Sequence, residues 1–262
     1  MNTRLASTLV IFSLLGLALL SACDSRKKPE IAAQDPTWSS IISARTSGLI
    51  SRKSKVRVVF VNDVVGKEMV GQDAGGYLKF APSIKGSASF VSEREIVFAP
   101  QQDLEQGRYY HALLKPKGLT GIPERLDEYE FLFQAMAQEF EVTIAGLTSS
   151  PDSDKKMVLT GALVTADVAE AERVEKVLSA AYRGQAVKVD WQHNPDGRRH
   201  DFNIAGLERD TKNQSVKLSW NGKPIEVDNQ GERDIEVPGR NIFKITQVQI
   251  AARNHQRWRV CK

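Results

Sequence analysis

The chain has 262 residues, 41% hydrophobic and 26% charged, with 18 glycines and 10 prolines. That is a globular mixture long enough for two domains, and it excludes a disordered, collagenous or disulfide-scaffold protein. Lys and Arg number 36 against 32 acids, a dispersed net charge of +4 with no basic stripe for nucleic acid, and two cysteines with four histidines make no zinc cluster.

The first signal lies at the amino terminus. Arg4 supplies a positive charge, and residues 9–20 are apolar apart from Ser13 and Gly16. A run this short, ending in small residues, reads as a secretion signal rather than a membrane span. It closes on Leu20, Ser21, Ala22 and Cys23. This quartet resembles the bacterial lipobox. The resemblance implies that the Cys23 thiol takes a diacylglycerol, that residues 1–22 are removed, and that Cys23 becomes the first mature residue. Acyl chains contribute roughly 0.8 kcal/mol per buried CH₂, so three of them would hold the protein on a bacterial membrane. Asp24 resembles the signal that retains enterobacterial lipoproteins on the inner membrane, which implies a lipid-anchored protein facing the periplasm. The mature chain then opens with a polar tether over residues 23–36. Its basic triplet Arg26, Lys27 and Lys28 is placed to meet anionic headgroups or simply to be solvated.

Residues 37–136 carry a β pattern. Strands are predicted at 55–61, 77–80, 88–91, 95–98, 108–114 and 129–133, separated by turn residues such as Gly75-Gly76, Lys85-Gly86 and Gln106-Gly107. A second β unit is predicted over 138–250, with the boundary at residues 134–138. Its strands are expected at 139–144, 157–164, 186–191, 199–204, 215–220, 225–227, 234–237 and 243–248, with Asn221-Gly222 as a hairpin turn. Between them one helix is predicted. Asp167 caps it with Glu170 as capping-box partner, Val174, Val177, Leu178 and Ala181 share its apolar face, and Arg183-Gly184 ends it. The fold class expected is all-β: two tandem antiparallel sandwiches, the second with one inserted helix. A basic tail without apolar period follows at 251–262.

Chemistry is sparse. Gly71–Gly76 lacks the lysine and the strand-to-helix setting of a phosphate loop, and no Gly-x-Ser-x-Gly elbow occurs. His193 and His200 flank a turn and can come close, with Asp196 and Asp201 nearby. His200 is read onto the polar face, opposite Phe202 and Ile204, which argues against a metal site. Asp127, Glu128 and Glu130 read as a solvated lead-in to a strand. Trp191 and Trp220 each end an alternating strand and read as core, with a sugar-stacking platform as the alternative. No cofactor and no enzymatic activity are expected.

A resemblance covers about residues 36–250. Residues 38–54 with Val56-Arg57-Val58-Val59-Phe60, the segment 78–88, Glu95-Ile96-Val97-Phe98-Ala99-Pro100 and 104–110 resemble the first Ig-like domain of bacterial α2-macroglobulin lipoproteins. Residues 171–180, 201–207 and 218–223 are similar to the macroglobulin domain that follows it. The resemblance implies protease inhibition: a cleaved bait segment, closure round the attacker, and in many members a Cys-x-Glu-Gln thioester. Neither Cys23 nor Cys261 stands in such a motif, so no bait or thioester residue carries over. The tail after Ile250 departs from the family and suggests a truncated or frame-shifted amino-terminal piece, inactive as a trap alone. The partners expected are a membrane through Cys23, and proteases or other envelope proteins. The alternative is a free-standing lipoprotein that binds a glycan or a protein.

Overall fold

The computed structural model describes residues 28–241. The lipobox residues Leu20, Ser21, Ala22 and Cys23, the sorting residue Asp24, the strand expected at 243–248 and Cys261 lie outside them.

Eight strands form the first half: β1 (Ile42–Arg45), β2 (Gly48–Ile50), β3 (Val56–Phe60), β4 (Leu78–Ala81), β5 (Gly86–Ser92), β6 (Glu95–Pro100), β7 (Tyr109–Leu114) and β8 (Tyr129–Ala135). They make two four-stranded sheets, β1-β3-β6-β5 and β2-β8-β7-β4. Alternation decides which side chains meet between them. Val56, Val58 and Phe60 of β3 are buried, as are Tyr129, Phe131, Phe133 and Ala135 of β8. These rows join one continuous core, and Phe80 of β4 reaches Phe98 of β6 across it at 4.6 Å between centroids. Each fully buried large apolar side chain contributes roughly 1.5–3 kcal/mol. Trp38, on a 3₁₀ turn over Pro36–Ser40, plugs one end against Tyr129.

Two strands went unpredicted. β1 and β2 are short and carry little alternation, and their pairing is set by neighbours rather than by their own pattern. β2 also departs from the antiparallel expectation, since it lies parallel to β8.

The second half holds β9 (Phe140–Ser150), β10 (Ser153–Thr165), one turn of helix α1 (Ala171–Val174), β11 (Leu178–Tyr182), β12 (Gln185–Val187), β13 (Asp190–His193), β14 (Arg199–Glu208), β15 (Gln214–Asn221) and β16 (Gln230–Val237). The sheets are β13-β14-β10-β9 and β12-β11-β15-β16, again facing one another over a shared core. Gly161 of β10 is there because a Cβ would fall 2.4 Å from both the Phe202 ring and the Thr143 carbonyl oxygen.

The predicted helix is corrected. Only Ala171–Val174 is helical, and Leu178–Tyr182 is a strand paired with β12 and β15. The spacing of Val174, Val177 and Leu178 fits a helix, but Leu178, Ala180 and Tyr182 also alternate, and that period wins. Arg183 and Gly184 are the two central residues of a hairpin, both at positive φ (54° and 76°), not a helix stop. Asp167 caps no helix; Glu170 occupies the N-cap position, without a side-chain bond. The strand predicted at 225–227 is also overturned. Lys223–Ile225 is a 3₁₀ turn, and the partner of β15 is β16.

Among the described residues no helix is long and apolar enough to cross a membrane.

Candidate functional site

Two polar clusters stand out against the apolar cores. The first joins the two halves. β8 ends at Ala135 and β9 begins at Phe140, so the connection is short, and it is not a loose linker. Met136 gives its N–H to the Ile50 carbonyl at 2.8 Å. Gln138 is buried, and its amide clasps the Asp167 backbone from both sides. Nε2 donates to the Asp167 carbonyl at 3.1 Å, and Oε1 accepts the Asp167 N–H at 2.9 Å. The Gln138 N–H in turn goes to Oε1 of Gln106 in the first half.

Asp167 is 1% exposed. Burial of a carboxylate demands hydrogen bonds to each oxygen. Oδ2 accepts the backbone N–H of Arg52 at 2.7 Å, and Oδ1 accepts that of Val168 at 2.8 Å. The Arg52 guanidinium bonds the Leu104 carbonyl and reaches Glu226 Oε2 at 2.9 Å, while Glu226 Oε1 meets Arg173 at 3.0 Å. Glu226 sits at φ 62°, in the left-handed region, and its carbonyl accepts from Gln106 Nε2. Hydrogen bonding from Arg173 first, and then the charge of Arg52, hold the Glu226 carboxyl below its ordinary range against the opposing effect of burial. Lys53 and Glu170 add an exposed pair across the same joint.

Magnitudes rank these contacts. Exposed ion pairs contribute about 0–1 kcal/mol. A buried acceptor that satisfies backbone N–H groups matters more, because its loss orphans each donor at about 1–3 kcal/mol. The joint therefore rests on Asp167 and Gln138. Their polar atoms are committed to the backbone, so the cluster orients one sandwich on the other.

The second cluster is the histidine pair. His193 of β13 and His200 of β14 are directly cross-strand, with Nδ1 to Nδ1 at 2.8 Å. The closeness was predicted, but the face was not. His200 is 1% exposed, beside the buried Phe202 and Ile204. Residues 200, 202 and 204 are spaced by two and must share a face, which the sequence reading inverted. His193 Nε2 lies 3.1 Å from Glu175 Oε1, and Trp191 stacks on the His193 ring. Burial, and then the neighbouring His193, hold the His200 pKa below 6.5. Among the described residues no group of three or more His, Cys, Asp or Glu is arranged to hold a metal ion.

The other candidates disperse. Glu128 pairs with Lys115 and Glu130 with His111, and Asp127 is exposed. Trp191 and Trp220 are half-buried against both cores of the second half. Sequence reasoning missed the joint. Its one signal was the lone Asp167 at the end of an apolar strand, which was assigned to a cap because capping uses the same acceptor chemistry.

No protein-family model matches the chain, and no curated protein matches it in sequence.

Proposed function

We propose that this chain is the membrane-proximal, non-enzymatic arm of a bacterial α2-macroglobulin-like protease inhibitor, lipid-anchored through Cys23 and facing the periplasm. Its two halves are read as an Ig-like domain followed by a macroglobulin-like domain. The reading draws on the lipobox Leu20-Ser21-Ala22-Cys23, on Asp24 as an inner-membrane signal, on the polar tether and on the resemblance across residues 36–250. The observation that carries it is the buried clasp of Asp167 on the Arg52 N–H. Two sandwiches locked in series form a stiff spacer, which suits a part that positions other domains over a membrane. Lacking Cys-x-Glu-Gln, this chain is not a covalent trap by itself.

The test is made in two arms. Mass spectrometry of the membrane fraction should find Cys23 as the first residue carrying acyl mass, and Cys23→Ser should leave a soluble or unprocessed protein. A Cys23→Ser protein still matured and membrane-bound would overturn the anchor. Incubation with trypsin-like and elastase-like proteases should give no adduct at the summed mass. Such an adduct, or protection of the protease from a large inhibitor but not from a small substrate, would overturn the arm.

A further inference from the structure

We propose that the end of the first sandwich around Arg45 and Leu49 is a membrane-contact surface that lies against anionic phospholipid headgroups. The inference rests on the reading of Cys23 as a lipid anchor, and its test separates the two.

Reach comes first. A chain extends at most about 3.6 Å per residue, so the stretch from Cys23 to Lys28 spans no more than about 18 Å. Little slack follows it. Ile31 is half-buried in a groove beside β2 and β8, Gln34 Oε1 accepts the Glu130 N–H at 3.1 Å, and Asp35 pairs with Arg125. An acylated Cys23 therefore holds one particular end of the sandwich at the bilayer, the end on which residues 28–35 are packed. That end carries the connection from β1 to β2, which are edge strands of the two facing sheets. The groove brings Lys28 and Ile31 beside Arg45, Leu49 and Leu132.

The side chains there suit a headgroup layer. Leu49 is 58% exposed, the most of any large apolar side chain among the described residues. A singly exposed apolar residue is ordinary, but this one borders two half-buried ones, Ile31 and Leu132, and two exposed cations. Arg45 stands over the Tyr129 ring at 5.6 Å, which orients the guanidinium without neutralising it. Neither Arg45 nor Lys28 pairs with a carboxylate among the described residues. Arg26 and Lys27 directly precede Lys28 in sequence, so this end gathers four cations against Asp24 and Glu30. An anionic leaflet attracts each basic group that comes within a Debye length of about 8–10 Å. The acyl chains do the anchoring. A short tether then makes the contact intramolecular, at about millimolar effective concentration, so that a small patch suffices to orient the protein. Through the Asp167 joint the second sandwich takes its stance from the first.

The experiment uses the full mature chain carrying Cys261→Ser, isolated from membranes and reconstituted into vesicles of phosphatidylcholine with phosphatidylglycerol. Leu49→Cys, or Val91→Cys on β5 at the opposite edge of the sandwich, supplies one free thiol for a fluorophore that brominated acyl chains quench. Both positions are exposed, so neither change disturbs the core. Emission from the Leu49 label should fall at least about twofold on brominated vesicles, and that from the Val91 label should hold. Arg45→Glu, or vesicles of phosphatidylcholine alone, should restore most of the Leu49 emission. An anchored protein whose Leu49 label is quenched no more than the Val91 label would overturn the surface and leave the anchor standing. Quenching that persists both with Arg45→Glu and in phosphatidylcholine alone would overturn the anionic assignment. A protein that does not float with the vesicles, or whose Cys23 takes the label, would overturn the anchor and this surface with it. A Leu49 label shielded in native membranes but unquenched in the vesicles would assign the groove to an envelope protein instead.

Discussion

The Asp167 carboxylate accepts the backbone N–H of Arg52 across 115 positions of sequence, at 2.7 Å. One oxygen on the second half thus satisfies a donor at the end of β2 in the first half, where no strand partner is available to it. Asp167→Ala should orphan the N–H groups of both Arg52 and Val168. At about 1–3 kcal/mol for each orphaned donor, the loss should lie near 2–6 kcal/mol. Glu226→Gln, which weakens only partly exposed pairs, should cost about 1 kcal/mol or less. Urea midpoints of the two variants decide the ranking, and equal losses would contradict it.

The same joint bears on proteolysis. A domain boundary such as the one expected at residues 134–138 ordinarily falls in an accessible link. Instead Ala135 and Gln138 are buried, and Gln138 is bonded on both sides. A protease needs an extended, accessible segment, and burial and bonding of the backbone decide access. Early cleavage of the wild type should fall outside residues 134–139. Gln138→Ala should open that link, and fragments ending there should then accumulate. Early wild-type cleavage at the link would show that the clasp is loose in solution.

Legibility followed the strength of periodicity. β3, β7, β8 and β14 alternate over five or more residues and were readable to within a few positions. β1 and β2 carry too few alternating residues, and parallel pairing of β2 with β8 is set by the distant β8. The segment 171–184 carries both periods, and the local capping signal at Asp167 tipped the reading toward helix, although the carboxylate serves the joint instead. His193 and His200 were readable as neighbours because a turn separates them. What no sequence pattern marks is a hydrogen bond between a side chain and a backbone group more than a hundred residues away.

Gly161 tests the packing of the second core. A methyl group there would meet the Phe202 ring and a backbone oxygen, each at 2.4 Å. The ring is buried and the oxygen belongs to β9, so neither can retreat freely. Gly161→Ala should destabilise by about 1–3 kcal/mol through overpacking. Gly184→Ala, where nothing lies within 4 Å, should cost only its left-handed backbone strain, about 1 kcal/mol. Paired thermal and urea unfolding of both variants checks the order.

Acid should weaken the protein in two successive steps, and the sign of each follows from proton uptake. His200 takes a proton near 6.5 when unfolded, and burial holds its folded pKa lower. Between the two values the unfolded chain binds more protons, so this contribution is full above about pH 6.5 and is lost as pH falls through the folded value. Glu226 follows at lower pH. Its ordinary value is 4.5, and the Arg173 hydrogen bond holds the folded carboxyl below that, so its contribution is present above 4.5 and lost as pH falls through the depressed value. Urea midpoints between pH 7.5 and 3 should therefore decline first below about 6.5 and again below about 4.5. His200→Gln should flatten the first decline and spare the second, whereas Glu226→Gln should spare the first and only shrink the second, to which Asp35 and Asp210, held below 3.8 by hydrogen bonds from Thr37 and Thr211, add their own loss. A first decline of unchanged size in His200→Gln would place the responsible proton on another group.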